Sequence, residues 1–217
     1  MRKILKVIIA IMIVILCIKG YVYVQDQKWL STHDVLLDYG YYSLADIVQQ
    51  SERIVEGTVL KVKDVTVKRV LNIYRDHEGK LRYNIEKYPV TPIKIKVNQV
   101  IKGKTLTKTV TYYKEYSNTT DDEALPNGPV VKVGMEFLVA LDKRGFCPGG
   151  GQGLWLVFDD KVKVSEGDRF MEYVDKSTVV TINADDIENK AWDLRGRREF
   201  LVIEMEQVVS VLQSFGN

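Results

Sequence analysis

The sequence predicts a mainly β domain carried behind an apolar N-terminal segment and followed by an amphipathic helix. Three observations predict this. Val7–Ile18 is an unbroken apolar run led by Arg2, Lys3 and Lys6. Residues 54–164 hold short segments of alternating apolar and polar residues, parted by Gly, Pro, Asp and Asn, as expected of half-buried strands and turns. Residues 198–215 place Leu201, Met205, Val208, Leu212 and Phe215 on one stripe at helical spacing.

The first 24 residues read as an export address. A basic n-region and an apolar h-region open a signal sequence. The residues after the run, Lys19, Gly20, Tyr21 and Val22, offer no small-residue cleavage site. Leu16 precedes Cys17, where a lipoprotein signal needs a small residue, so Cys17 is not placed for lipidation. The segment therefore reads as an uncleaved anchor; were it cleaved, the domain would be secreted. Ile4–Val24 reaches the ~20 residues that span a bilayer core, with Lys6 and Lys19 snorkelling to the two interfaces. Tyr21 and Tyr23 suit the aromatic belt. Cations ahead of the run predict a single-pass cell-membrane protein, N-terminus inside and the remainder outside the cytoplasm.

The 217 residues sum to a charge of +2. Residues 1–19 hold four cations and no acid, so the remainder sums to −2. Such a chain lacks the basic footprint of a nucleic-acid binder. About 190 residues suffice for one domain with its own core. Cys17 lies in the apolar segment and Cys147 beyond it, so no internal disulfide is expected and the exported part relies on its core.

Four stretches follow: the anchor at 1–24, a juxtamembrane connector at 25–42, a β domain at 43–165 and a C-terminal extension with a helix at 166–217. Ser43, with Asp46 three residues on, caps a short helix to about Ser51. Ile54–Val65 reads as a strand in which Gly57 marks a bulge or a close approach. Val65–Tyr74 and Leu81–Ile85 flank a turn at DHEGK and form a hairpin. Pro89 and Pro92 are expected to break the pattern. Ile93–Val97 and Leu106–Tyr113 alternate. Residues 114–132 are a long polar loop. Met135–Leu141 and Gly153–Phe158 are apolar throughout, as central strands are. Val162–Val164 follows a bend at Asp159-Asp160. Val179–Ile182 is a short strand, a short helix follows Asp185 or Asp186, and Arg198–Phe215 is the amphipathic helix.

The order of these pieces carries a resemblance. "SLADIVQQSERIVEGTVLKV", "YPVTPIKIKVNQVIKG", "LTKTVTYY", "VKVGMEFLVAL" and "GQGLWLVFDDKV" together resemble a group of small exported bacterial proteins of uncharacterised function. Their core is similar to the five-stranded OB-type barrel of tissue inhibitors of metalloproteinases and netrin-like modules. The resemblance covers about Ser43 to Val164 and implies a five-stranded OB-like β-barrel. Those inhibitors chelate the protease metal through a free N-terminal cysteine and hold several disulfides. This chain has neither, so the resemblance does not carry inhibition with it.

Candidate chemistry is sparse. Phe146–Gly153 (FCPGGGQG) is the most unusual local sequence and reads either as a backbone-lined binding loop with a reactive Cys147 or as a wide turn between central strands. A nucleophilic cysteine needs a base nearby, and the only histidines are His33 and His77. His33-Asp34 and Asp121-Asp122-Glu123 lack zinc or EF-hand spacing. Asp159-Asp160 are neighbours, which on a strand point to opposite faces. Tyr112, Tyr113 and Tyr116, with Trp155, read as the face that OB-type barrels use for ligands. The sequence thus predicts a binding module for an envelope protein or glycan, with Tyr112, Tyr113, Trp155 and Cys147 as candidate binding residues and the membrane as a partner through residues 4–24. It predicts no catalytic residues, no metal and no cofactor. The competing readings are a thiol-dependent or hydrolytic enzyme built on the Cys147 loop, and a scaffold acting through the C-terminal helix.

Overall fold

Residues 2–32, 42–105, 107–115, 130–164, 169–183 and 199–215 are described by a computed structural model. They are mainly β, with an apolar helix at the N-terminus and a short helix near the C-terminus. The chain divides into two units: Met1–Asp38 with Thr66–Pro89, and Tyr39–Val65 with Val90–Asn217. The stretch 43–165 read from sequence contributes to both. The short helix expected after Asp185 or Asp186, Tyr116 and Asp121–Glu123 of the polar loop, and His33-Asp34 lie outside the described residues.

The first unit holds helix α1, Arg2–Thr32, which at 1.5 Å per residue is about 46 Å long. Its stretch Lys6–Leu30 is long and apolar enough to cross a membrane. No proline interrupts it, and the helix continues past Val24 through the first eight residues of the expected connector. The unit also holds strand β2, Thr66–Arg75, and the first part of β3, Leu81–Lys102. The DHEGK turn joins them as expected. Gly79 donates its N–H to Asp76 O at 2.9 Å, and Asp76 N–H donates to Lys80 O at 3.0 Å. Gly79 has φ +77, the left-handed residue that a three-residue hairpin loop needs.

The second unit opens with α2, Leu44–Gln50, held by the capping box in which Ser43 and Asp46 exchange hydrogen bonds. Lys102 Nζ donates to Val48 O at its far end. Strands β1 (Arg53–Val62), β4 (Thr109–Glu115), β5 (Glu136–Leu141), β6 (Leu154–Phe158), β7 (Lys161–Val164), β8 (Val180–Asn183) and β9 (Glu199–Glu204) follow, then α3, Met205–Ser214. With β2 and β3 these make nine antiparallel strands among the described residues, and their pairing does not close. In the second unit the order is β4-β3-β1-β5-β6-β7-β9-β8.

Two expectations are corrected here. Pro89 and Pro92 do not end a strand: β3 runs through both. Pro92 stands opposite Tyr113 of β4, and Tyr113 sends its N–H elsewhere, to Gly145 O at 2.8 Å. The pair exchanges no hydrogen bond, so β4 asks no donor of Pro92. The carbonyl of Pro92 still accepts from Lys63 N–H at 3.0 Å. The expected helix Arg198–Phe215 is also shorter. Glu199–Glu204 is β9, paired on one side with β7 and on the other with β8. The run Leu201-Val202-Ile203 favours this, because branched side chains suit a pleated surface better than a helix.

Two cores lie on the two faces of the sheet. Val55 and Val59 of β1, Ile93 and Ile95 of β3, Val110 and Tyr112 of β4, Phe137, Val139 and Leu141 of β5, and Leu154, Leu156 and Phe158 of β6 form the first. The second packs Leu138, Ala140, Trp155 and Val157 against Leu44, Ile47 and Val48 of α2, Phe170, and Met205, Val208 and Leu212 of α3. Every residue of β6, and all of β5 after Glu136, is buried. Gly57 sits where β1 slips register against β3. A Cβ there would stand 2.3 Å from Lys96 O and 2.5 Å from Ile95 Cγ2.

Gly57→Ala is expected to destabilise the protein by about 2–3 kcal/mol, since backbone must move to admit the methyl. Guanidinium unfolding of the full chain in detergent measures this, and a loss within experimental error would refute the close approach. Asp159 and Asp160 turn β6 into β7 with φ of +49 and +59, a conformation costly for a residue with a Cβ. Asp160→Gly is expected to raise stability by about 0.5–1 kcal/mol in the same measurement.

Candidate functional site

Where β4 meets the β5–β6 connection, the second unit has a cleft of about 160 Å³. Arg53 at the start of β1, Val110 and Thr111 of β4, and Leu141 to Gly145 line it. The turn after β5 is built by Asp142. Its carboxylate accepts N–H from Arg144 at 2.8 Å and from Phe146 at 2.9 Å, an arrangement that short acidic side chains favour in turns. Its backbone exchanges further bonds with Gly145 and Phe146. Gly145 lies at φ +86, and a Cβ there would meet Thr111 O at 2.8 Å, so the turn seats directly on β4.

Three cations line this cleft: Arg53, Lys143 and Arg144. Arg144 Nε donates to Asp142 Oδ2 at 2.9 Å, and its guanidinium lies 5.8 Å from the centre of the Phe146 ring, which orients the group. Arg53 Nη2 donates to Glu52 Oε1 at 2.9 Å. Arg53 Nε is buried and has no hydrogen-bond partner among the described residues. A buried donor without a partner is costly, and a fork of guanidinium donors is suited to a planar or tetrahedral oxyanion. The arrangement holds no nucleophile beside a base.

The residues singled out from the sequence are not brought together. Tyr112 is buried in the first core, and burial raises its phenol well above its usual value. Tyr113 is half-buried, its ring 5.9 Å from that of Phe146, so it flanks the cleft. Trp155 belongs to the second core, on the other face of the sheet, 4.9 Å from Phe170. Cys147 is buried in the first core, and burial pushes its thiol up to about 12, far from the thiolate that attacks or binds metal. Residues 147–151 are buried. Gln152 accepts the Tyr42 N–H at 3.2 Å, and both side chains stand about Gly149. The glycine loop is therefore packed with protein. The signals for the cleft were the pair Lys143-Arg144 before a glycine in a tight turn, and Arg53 at the mouth of a strand.

Two further polar groups stand on the second unit. Lys114 continues the inward face of Val110 and Tyr112 beside buried Thr91, and is 1% exposed. Glu56, Asn98, Thr58 and Glu136 form a hydrogen-bonded row across β3, β1 and β5, and burial raises the Glu56 carboxyl above its usual value. Among the described residues, no group of three or more His, Cys, Asp or Glu side chains is placed to hold a metal ion. Comparison with family models, with curated proteins and with solved structures finds no match.

Burial lowers Lys114 to about 8 from 10.5. Between those values the unfolded chain binds the extra proton, so this group makes the native state more stable as pH rises; below about 8 its full cost is present. Lys114→Met is therefore expected to exceed the parent in stability at pH 7 by up to about 3 kcal/mol. The gap should close between pH 8 and 10.5. The titrations of Tyr112 and Cys147 are common to both proteins and drop out of the difference. Unfolding curves across this range measure it, and a gap independent of pH would contradict the assignment.

Proposed function

We propose that this protein is a membrane-anchored, extracytoplasmic binding module whose basic cleft takes an oxyanion, a phosphate or a carboxylate, of an envelope protein or glycan. The observation that carries the reading is a cleft lined by three cations, Arg53, Lys143 and Arg144, behind which Arg53 Nε has no partner among the described residues. Such donors gain most from an anionic acceptor at a desolvated position.

The anchor is α1, with the N-terminus inside because Arg2, Lys3 and Lys6 precede the apolar run. The binding domain is an OB-like barrel of five strands, which we identify as β1, β3, β4, β5 and β6. Support comes from the first core, to which all five contribute inward side chains, and from the Tyr113 to Gly145 backbone bond beside the cleft. The enzyme reading asks for an ionisable Cys147, and burial works against that. The scaffold reading asks for a free stripe on α3, but Met205, Val208 and Leu212 are buried in the second core.

Calorimetric titration of the full chain in detergent with inorganic phosphate and with glucuronate tests the proposal. Saturable binding of at least one is expected. The double variant Arg53→Gln, Arg144→Gln should weaken it more than about tenfold, the size of a lost charge-assisted bond. No saturable heat with either anion, or unchanged affinity in a folded double variant, would sink the reading.

A further inference from the structure

The β2–β3 hairpin of the first unit carries an exposed apolar face. Counting back from the Asp76–Lys80 pair that closes the turn sets Ile73 opposite Tyr83 and Leu71 opposite Ile85, with Leu81 on the same side. These five side chains are 57% to 79% exposed. Scattered apolar residues on a surface need no explanation, whereas a contiguous set on one face marks a contact. The same hairpin is basic: residues 66–89 hold six Lys or Arg and three Asp or Glu.

Its base is fastened to α1. Arg69 Nη2 and Nη1 bind the two oxygens of Asp26 at 2.5 and 3.1 Å. Lys87 Nζ stands 5.9 Å from the centre of the Trp29 ring. If Ile4–Val24 fills the bilayer core, Asp26 lies about 3 Å beyond it at 1.5 Å per residue, level with the headgroups. Leu71 is two residues from Arg69, about 7 Å along the strand. The apolar face thus begins at most about 10 Å beyond the edge of that core.

We infer that the hairpin lies in the membrane interface, with Leu71, Ile73, Leu81, Tyr83 and Ile85 on the acyl boundary and its cations among anionic headgroups. It is a second membrane contact beside α1, and it rests on the reading of α1 as the anchor. Apolar side chains supply the burial and cations the attraction to an anionic leaflet.

The test uses the full chain in vesicles of phosphatidylcholine with a minority of phosphatidylglycerol, carrying nitroxide lipids at shallow or deep positions. An environment-sensitive fluorophore is placed at Tyr83→Cys, or at Asn84→Cys on the opposite face, each in a Cys17→Ala background. A third sample carries it at the native Cys17. The Tyr83 probe is expected to shift to the blue and lose emission to the shallow quencher, while the Asn84 probe does neither. Equal quenching at 83 and 84, or none at 83, overturns the inference. A blue shift at 83 without lipid quenching assigns the face to a second copy of the chain and also overturns it. The Cys17 probe separates the two readings. Deep quenching there with none at 83 removes the hairpin contact alone, whereas no deep quenching at Cys17 removes the anchor itself.

Discussion

The second unit is organised by the need to cover β5 and β6 on both faces. Phe137–Leu141 and Leu154–Phe158 are buried residue by residue, so neither face of this pair can meet water. Burial of a large apolar side chain contributes about 1.5–3 kcal/mol, and a pair this apolar is stable only between two layers. One layer is α2, the 3-10 turn at Arg169–Glu172 and α3. The other is the inward side of β1, β3 and β4. The connection between β5 and β6 must then be tight and close-packed. That is why it carries glycines at φ +68, +63 and +101, and why a Cβ on Gly153 would stand 2.9 Å from both Ala140 and Ile47.

This constraint decides where chemistry can sit. Tyr112, Trp155 and Cys147 serve the two cores, so the residues with the most chemical character are withdrawn from solvent. Polar groups remain where the cover ends. At the meeting of β4 with the turn after β5, Asp142 spends its carboxylate on shaping the turn, and the guanidinium of Arg144 is oriented by Asp142 and Phe146. Arg53 keeps one donor buried and unmatched among the described residues. A buried guanidinium N–H without an acceptor is costly to leave in place for packing alone, which is the physical ground for proposing a ligand in the cleft.

Much of this was legible in the sequence. The capping box at Ser43 and Asp46, the hairpin at DHEGK, the central strands and Gly57 as a place of close approach all follow from local rules of turn chemistry, periodicity and backbone room. Glu199–Glu204 and the strand through Pro92 were not legible. Their state depends on partners far along the chain: β7 and β8 for the first, and the direction in which Tyr113 sends its N–H for the second. The site was hidden for a related reason. A tyrosine on an alternating strand looks the same whether its face meets a ligand or a core, and Tyr112 and Trp155 proved to be core. Arg53 and Arg144 are ordinary cations in sequence, and only the seating of one turn on β4 puts them beside the same cleft.

The Asp26–Arg69 pair joins local chemistry to the placement of the first unit. Asp26 is the first acid in the chain and follows the apolar stretch by two residues; its side chain is 12% exposed. A carboxylate so buried gains little from water and needs a partner that answers both oxygens. Arginine provides that fork, with two parallel donors in one plane, while lysine offers a single point charge. Because the partner comes from β2 and the carboxylate from α1, neither element can slide along the other without breaking the pair. The ion pair therefore does more than neutralise a charge: it ties the hairpin to the helix just past the apolar stretch, so that the two elements of the first unit take their positions together.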